Sequence, residues 1–227
     1  MKRLRKKRVI VTIDGPAGAG KSTVSKLLAR KLKYLYLDTG AMYRAVAVRV
    51  CQEGIDPEDD PALERLCRGL DISFRVEGEE QRVICQGEDV TEKIREPQIG
   101  RMASSVSMRR PVREAMVSLQ RKIAFRRKIV AEGRDTGTVV FPDADYKFYL
   151  VAAPEERALR RHREMAAKGI PWTLEEVKKE MKERDEQDAG RDLAPLRPAE
   201  DARLIDSTNL TPEEVVEIML QMMDPEG

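Results

Sequence analysis

Apolar positions along the chain follow two periods, one typical of buried strands and one typical of amphipathic helices. Residues 9–13 form a short, β-branched and almost wholly apolar run, which favours a buried parallel strand. The segment after it places Val24, Leu27, Leu28 and Leu32 on one helical face. Later strands are predicted from similar runs at 34–37, 128–131, 146–151 and 203–207. Strands that alternate with helices in this way indicate an α/β protein with a parallel, five-stranded central sheet flanked by helices.

Helical periodicity and capping residues predict the elements between these strands. Residues 39–50 favour a helix with one apolar face turned inward, and Thr39 is placed to cap it. Thr173 opens the pattern T-x-x-E, a capping box that starts a helix with its own apolar stripe. Other helices are predicted at 99–106 and 112–125, after Pro154 and after Thr211.

Residues 56–97 break this alternation. A loop rich in proline and acidic residues at 56–61 leads to two strand-like runs at 71–76 and 82–86, with a turn between them. These runs predict an antiparallel hairpin or small sheet inserted into the α/β chain, where it would lie as a flap on the substrate side. The length of 227 residues fits one domain with insertions. We therefore expect a single domain made of a core (8–55, 98–154 and 192–227), this insert and a helical lid at 155–191.

A glycine-rich turn separates the first predicted strand from the first predicted helix. Gly15, Gly20, Lys21 and Ser22 fit the phosphate-loop spacing G-x-x-x-x-G-K-[ST]. Glycine lets backbone N–H groups converge on an anion, and the following helix adds the positive end of its dipole. Lys21 would place a mobile charge on the terminal phosphates, and Ser22 would hold a magnesium ion. An ordinary glycine-rich turn is disfavoured because the motif lies between a strand and a helix.

Charge and cysteine content narrow the class of protein. The 42 Lys and Arg residues and 40 Asp and Glu residues give a net charge of only +2, so no overall field favours nucleic acid. A basic arm at residues 2–8 favours a solubilising terminus, with a nucleic-acid contact as the alternative. Without a membrane-spanning run or a signal peptide, we expect a cytoplasmic protein.

The cysteine and histidine content limits the chemistry available to the chain. The three cysteines, Cys51, Cys67 and Cys85, lack C-x-x-C spacing and are expected to be buried thiols. A lone histidine, His162, disfavours histidine-based catalytic triads and metal sites.

Arginine and carboxylate side chains recur near predicted ligand-binding positions. Arg44 lies early on the helix at 39–50, and Arg134 and Asp135 follow the strand at 128–131, at the edge where open α/β sheets bind ligands. Two arginine-rich helix faces follow, Arg157 with Arg160 and Arg161, and Arg184 with Asp188 and Arg191 if that helix runs far enough. The like charges of the first face repel at this spacing, so an anion or several carboxylates should compensate them. The second face fits both a salt-bridged surface and a mobile lid that brings guanidinium groups to phosphates.

These features indicate binding of a nucleoside triphosphate, but they do not select a reaction. A GTPase would normally carry N-K-x-D, whereas the only asparagine, Asn209, precedes a leucine. A small kinase fits the length and the arginines, because phosphoryl transfer requires dispersed positive charge and exclusion of water. The alternatives are a kinase for another small acceptor and a nucleotide-gated RNA-binding protein that uses the basic arm.

Seven runs of residues, in order over nearly the whole chain, resemble the bacterial cytidylate kinase family, the CMP kinase branch of the nucleoside monophosphate kinases. The most specific run is G-R-D-x-G-T-V-V-F-P-D-A at 133–144. The others are IDGPAGAGKST at 13–23, LDTGAMYR at 37–44, GEDV at 87–90, KERD at 182–185, APL at 194–196 and DST at 206–208. The insert at 56–97 is also similar to the extra CMP-side subdomain of the bacterial type.

The resemblance implies a P-loop kinase that transfers a phosphoryl group from ATP to CMP or dCMP with Mg²⁺. We expect it to act as a monomer, without a membrane or stable nucleic-acid partner. Glu132 stands where many relatives have Asp, and an indirect, water-mediated role with magnesium is implied for it. The ATP phosphates would be held by the loop and by two lid arginines: Gly15, Pro16, Ala17, Gly18, Ala19, Gly20, Lys21, Ser22, Thr23, Arg157 and Arg161.

The resemblance also implies a set of acceptor-side residues. The CMP phosphate would be held by Thr39, Arg44 and Arg134, and the cytosine base would be bound by Ser104, Arg113 and Asp135. The remaining substrate positions are Tyr43 (contact or packing), the ribose contacts Arg184 and Asp188, and Arg191 near the transferred phosphoryl group. The implied catalytic residues are Lys21, Arg134, Arg184 and Arg191.

Overall fold

The computed structural model describes residues 8–78, 80–167 and 169–224 of the chain. Its strands are β1 (Val9–Asp14), β2 (Leu35–Asp38), β3 (Ile72–Glu77), β4 (Glu80–Cys85), β5 (Glu88–Asp89), β6 (Lys128–Gly133), β7 (Tyr146–Val151) and β8 (Arg203–Asp206). Its α-helices are α1 (Lys21–Leu32), α2 (Thr39–Glu53), α3 (Asp60–Arg68), α4 (Pro97–Val106), α5 (Arg110–Ala124), α6 (Pro154–Ala167), α7 (Leu174–Ala189) and α8 (Pro212–Met223). A 3₁₀ turn at Lys93–Arg95 and a π-helical turn at Thr136–Val140 complete the regular elements.

A five-stranded parallel sheet has the order β2-β6-β1-β7-β8. β1 pairs with β6 from Val9 opposite Lys128 to Asp14 opposite Gly133, and with β7 on its other side. Helices α1 and α8 cover one face of this sheet. Almost every residue of β1, β6 and β7 is buried, as expected of the continuous apolar strands of a parallel sheet. The core on this face is built from Val11, Ile13, Val24, Leu28, Val130, Phe148, Leu150, Ile205, Val215 and Met219. The predicted five-stranded sheet flanked by helices is confirmed.

The described part of the chain divides into two compact units. One combines the described residues of Met1–Leu37 and Ala124–Gly227, and it contains the phosphate-loop motif and α6 to α8. The other is Asp38–Ile123, with α2, α3, α4 and a separate antiparallel sheet of β3, β4 and β5. In that sheet Ile72 lies opposite Cys85 and Glu77 opposite Glu80. The small antiparallel insert predicted from 71–76 and 82–86 is therefore confirmed.

Helix α3 was not predicted, because its start was assigned to the loop at 56–61. The Asp59 side chain accepts a hydrogen bond from the Ala62 N–H at 2.9 Å, and Pro61 occupies the first turn. Both are helix-starting features that a reading based on loop composition overlooks. The helix then buries Leu63, Leu66 and Cys67.

The predicted cap of α2 is wrong by one residue. Thr39 is the first residue of the helix, and Asp38 is the cap, with its carboxylate accepting from the Ala41 N–H at 2.8 Å. An ionised acceptor at a helix N-terminus also interacts favourably with the helix dipole. The capping box predicted at Thr173 is present, with Glu176 completing it. Thr211 caps the last helix as predicted, and it forms a second capping box with Glu214.

Two further expectations concern membrane-spanning helices and the basic N-terminal arm. Within residues 8–78, 80–167 and 169–224, no helix combines the length and apolar character needed to cross a membrane. The basic arm predicted at 2–8 lies outside the described residues except for Arg8, which is exposed.

The three cysteines are reduced thiols in two different environments. Cys67 and Cys85 are buried as predicted, and burial raises the pKa of each thiol to about 11. Cys51 is exposed at the end of α2, so the expectation that all three are buried is wrong for this residue.

This difference predicts selective thiol modification. At pH 8 a disulfide-exchange reagent should label Cys51 in the folded protein, whereas Cys67 and Cys85 should react only after unfolding, because few of their thiols are both ionised and accessible. Counting labelled thiols by absorbance, with and without denaturant, makes the measurement. Cys51→Ser serves as the control and should remove the native-state signal; labelling of Cys67 or Cys85 in that folded variant would contradict the prediction.

Candidate active site

The loop between β1 and α1 is tightly enclosed and depends on glycine. Gly15 and Gly18 have φ of 146° and 73°, in the left-handed region that favours glycine. A Cβ at Gly15 would lie 2.1 Å from the Leu150 carbonyl oxygen, and one at Gly18 would lie 2.9 Å from the Arg157 carbonyl oxygen. Glycine is therefore required at both positions for the loop to reach the N-terminus of α1, where the first N–H groups of the helix can bind an anion.

Lys21, the first residue of α1, lies over this loop. Its side chain is buried, and Nζ donates to the Pro16 carbonyl oxygen at 2.6 Å. Burial lowers the pKa of Lys21 well below its ordinary value, and repulsion from Arg134 and Arg184 lowers it further. Three cationic side chains thus converge near the loop, which is an arrangement that a phosphate group would stabilise.

A second group of polar side chains surrounds Ser22. Its hydroxyl donates to one carboxylate oxygen of Glu132 at 3.0 Å, and the Tyr36 hydroxyl donates to the other oxygen. Glu132 is buried at the end of β6, so these contacts fix its orientation. A hydroxyl and a carboxylate beside a phosphate loop are the hard oxygen donors that Mg²⁺ prefers, and Mg²⁺ commonly uses only one or two protein groups together with phosphates. The residues present therefore fit this ion.

Asp188 brings two predicted substrate arginines together. It is 1% exposed, and its two oxygens accept from Arg134 Nε at 2.8 Å and from Arg191 Nη2. Burial raises the pKa of Asp188, but Arg134, Arg191 and Arg184 outweigh that cost and hold it below the ordinary value. Helix α7 ends at Ala189, so Arg191 lies just beyond it and turns back to Asp188. The carboxylate therefore remains ionised and partly balances the cations.

The predicted lid arginines occupy different positions. Arg157 Nη1 donates to the Ala17 carbonyl oxygen at 2.9 Å and to Asp185 Oδ2 at 2.5 Å, while Asp185 Oδ1 accepts from the Ala17 N–H at 3.2 Å. Arg161 instead pairs with Glu164 on its own helix at 3.0 Å, and Arg160 pairs with Glu156. The expectation that carboxylates compensate the arginine face of α6 is thus confirmed.

Helices α6 and α7 have a small apolar core of their own. It contains Ala158, Met165, Val177 and Met181, and Ala17 of the phosphate loop packs against it. The tip of the loop is therefore held both by this packing and by the Arg157–Asp185 pair. Asp185 was not assigned a role from the sequence, although it ends the K-E-R-D run.

The unit Asp38–Ile123 contains five further predicted substrate residues. Arg113 is buried; its Nη1 donates to the Ser107 carbonyl oxygen at 3.0 Å, and its guanidinium carbon lies 5.7 Å from the centre of the Tyr43 ring. Thr39 is buried at the start of α2, whereas Arg44 and Ser104 are half-buried. Within this unit the structure thus brings Arg113 and Tyr43 together, and the face of the tyrosine ring helps to orient the guanidinium group.

Comparisons with known proteins identify the family. Residues 11–225 match the family model described as cytidylate kinase. A cytidylate kinase from Geobacter sp. (strain M21) is 54% identical over 216 residues, which cover 95% of this chain and 93% of the relative. Another from Citrifermentans bemidjiense is 52% identical over 219 residues, which cover 96% and 94%.

The chain belongs to the cytidylate kinase family. It is accordingly a kinase, a phosphotransferase with the P-loop fold. The likeness of fold extends further, to a crystal structure of a gluconokinase from Sinorhizobium meliloti, with a TM-score of 0.50 over 97% of this chain and 94% of that chain. At 14% identity, that likeness concerns the fold alone.

Three side chains that hold parts of the site in this cytidylate kinase family member were not predicted from the sequence. Tyr36 orients Glu132, Asp185 holds Ala17, and Asp14 contacts the turn after β6. Asp14 and Asp185 lie inside family-like runs, which was the available signal. Tyr36 gave no such signal, because it is simply one residue of a strand.

Asp188 offers a direct test of the charge arrangement. Asp188→Ala leaves Arg134 and Arg191 in a buried region without their shared carboxylate, so we expect the free energy of unfolding to fall by about 3–5 kcal/mol. Urea unfolding followed by circular dichroism measures this. Glu164→Ala, which breaks the exposed pair with Arg161, should change it by less than about 1 kcal/mol and serves as the matched control.

The effect of Asp188 should also depend on pH with a defined sign. Because its pKa is lower in the folded protein, its contribution is fully present above the ordinary value of 3.8 and is lost as the pH falls through the folded value. The stability difference between wild type and Asp188→Ala should therefore persist at pH 5 and shrink in stronger acid. A difference that grows on acidification would contradict the assignment.

Proposed function

We propose that this chain transfers the γ-phosphoryl group of ATP to CMP or dCMP, giving ADP and CDP or dCDP. The observation that carries the proposal is the convergence of cationic side chains in one compact unit: Lys21 is buried over the glycine loop, and Asp188 holds Arg134 and Arg191 together. This convergence occurs in a chain that is about half identical, over nearly all of its length, to proteins named cytidylate kinase. Phosphoryl transfer requires such a concentration of positive charge around the transferred group.

On the donor side, the loop from Gly15 to Thr23 would bind the ATP phosphates through backbone N–H groups. Lys21 would leave the Pro16 carbonyl oxygen for the terminal phosphates. Ser22 and Glu132 would hold Mg²⁺, directly or through water, and the bound ion would neutralise charge on the β- and γ-phosphates. Arg157 and Arg161, on the lid helix α6, would complete this side on closure.

On the acceptor side, Arg134, with Arg44 and Thr39, would hold the phosphate of CMP. Arg134 is now paired with Asp188, so substrate phosphate would exchange with or share this partner. Asp188 and Arg184 would bind the ribose, since an ionised carboxylate is a strong acceptor for hydroxyl groups. Arg191 would turn to the transferred phosphoryl group.

Recognition of cytosine would rest on a carboxylate and two donors. Asp135 can accept from the exocyclic amino group, while Arg113 and Ser104 donate to the carbonyl oxygen and ring nitrogen. The contact between Arg113 and the Tyr43 ring would hold the guanidinium in position. Uracil presents a carbonyl oxygen where cytosine has its amino group, and this oxygen would face the Asp135 carboxylate as a second acceptor.

The chemistry requires positioning rather than a general base. The acceptor is a phosphate oxygen that is already anionic, so no proton must be removed before attack. The residues would bring donor and acceptor phosphates into line, neutralise the charge that would otherwise keep them apart, and exclude water. We also infer that the protein has no stable nucleic-acid partner, which the mixed charge of the chain supports. We further infer a cytoplasmic monomer, and light scattering would measure the oligomeric state.

An acceptor screen tests the proposed function. With ATP and Mg²⁺, CMP and dCMP should release ADP, whereas kcat/KM for UMP should be roughly 10- to 100-fold lower, because of at least one mispaired polar contact. A coupled ADP-release assay measures both. Asp135→Asn, whose amide can also donate, should narrow the gap. Equal kinetics for UMP and CMP, or no transfer to either cytidine nucleotide, would contradict the proposal.

Lys21→Met tests the assigned role of the lysine. Loss of its charge should reduce kcat by about 10²- to 10³-fold while the circular dichroism spectrum stays unchanged, since the charge matters most in the transition state. Lys31→Met is the matched control, because Lys31 lies on the same helix and its ammonium group pairs with the exposed Glu217 of α8. Near-normal turnover in Lys21→Met would remove the assignment.

A further inference from the structure

The buried side chain of Asp14, at the end of β1, contacts a turn that is more than a hundred residues away in sequence. One oxygen, Oδ1, accepts from the Thr136 N–H at 2.9 Å and from the Thr136 hydroxyl at 2.7 Å. The other, Oδ2, accepts from the Gly137 N–H at 2.7 Å. The Asp14 residue is 4% exposed, so these three donors replace the water that the carboxylate has lost.

The contacted segment is the π-helical turn Thr136–Val140. The first N–H groups of a helical turn have no partner within the turn and need an external acceptor. Asp135 occupies the cap position, but its side chain makes no capping hydrogen bond. Asp14, at the end of β1, supplies the acceptors for the first two N–H groups of the turn.

The turn also approaches β1 too closely for a side chain at its second residue. A Cβ at Gly137 would lie 2.9 Å from Thr12 Oγ1 and 3.3 Å from Asp14 Oδ2. Because both oxygens of Asp14 face donors, a group with only one acceptor oxygen cannot satisfy them all. The geometry therefore specifically requires a carboxylate here. Burial raises the pKa of Asp14, and the hydrogen bonds from Gly137 and Thr136 oppose that shift.

We propose that Asp14 is a positioning residue that holds the turn after β6 in place and thereby sets the discrimination between nucleobases. Asp135 directly precedes the contacted Thr136, and Arg134 precedes Asp135, so a displacement of the turn moves both side chains. Asp14 also directly precedes Gly15, so the same residue links the phosphate loop to the turn that carries these side chains. The inference rests on the proposed function, in which Asp135 binds cytosine.

The test is the ratio of kcat/KM for CMP to kcat/KM for UMP in Asp14→Asn. An asparagine places an N–H₂ group against one of the N–H donors, which should displace the turn and lower the ratio by about tenfold. A purely structural role would reduce the fraction of active enzyme, and that fraction cancels in the ratio. An unchanged ratio in a folded Asp14→Asn variant would overturn the proposal.

A milder variant keeps the test decisive if Asp14→Asn does not fold. Thr136→Val removes one of the three donors from a fully buried position and nearly preserves the side-chain shape. It should lower the same ratio by about two- to threefold, since one of the three hydrogen bonds to Asp14 is lost. If Asp14→Asn is unfolded and Thr136→Val keeps the wild-type ratio, the proposal is wrong.

Asp145→Asn provides the matched control. Asp145 also accepts a backbone N–H of β1, from Ile10 at 2.9 Å, and it lies at the opposite end of the strand from Asp14. Its ratio should equal that of the wild type, and a fall as large as in Asp14→Asn would overturn the specific role of Asp14. Activity of the wild type separates the two hypotheses. If the wild type does not phosphorylate CMP, the proposed function itself is refuted. If the wild type is active and the CMP-to-UMP ratio is unchanged in Asp14→Asn, only the role of Asp14 is refuted.

Discussion

The site depends on cationic side chains that are held together away from water before any phosphate is bound. Lys21 is buried, and both its desolvation and the nearby Arg134 and Arg184 lower its pKa. Bringing like charges together at low dielectric is unfavourable, and the folded chain limits that cost with a few buried carboxylates. The positions of these carboxylates therefore determine much of the site geometry, because each must face a cation or several hydrogen-bond donors.

The buried carboxylates meet this requirement in different ways. Asp188 is paired with two arginines and stays ionised because their charges outweigh its burial. Glu132 accepts from the hydroxyls of Ser22 and Tyr36, and Asp14 accepts from one hydroxyl and two backbone N–H groups. A carboxylate held by neutral donors keeps its orientation when a charged ligand arrives, whereas one held by arginines can lose those partners to the ligand. Asp14 and Glu132 are thus suited to fixed positioning, and Asp188 to exchange.

The sequence predicts the features that depend on local patterns. The apolar runs give the five strands, the T-x-x-E box gives the start of α7, Thr211 gives the start of α8, and the glycine spacing gives the phosphate loop. Family-like runs supply the proposed roles of the arginines, which the structure does not test. Errors arise where two neighbouring residues have similar capping ability, as with Asp38 and Thr39, or where a helix is short, as with α3. Local patterns do not predict the contact from Asp14 to Thr136, because the two residues are far apart in sequence and only the pairing of β1 with β6 brings them together.

Under the proposed function, substrate binding would be largely an exchange of partners. Lys21 would have to leave the Pro16 carbonyl oxygen, and Arg134 would have to leave or share Asp188, before either could act on a phosphate. Part of the attraction between cations and phosphates would then be consumed in breaking contacts that already exist, which would weaken ground-state binding. In return, the cations are already held in position, so little reorganisation would remain when charge shifts between donor and acceptor. Such an arrangement would favour binding of the transition state over binding of the substrates, and a difference of this kind accelerates a reaction.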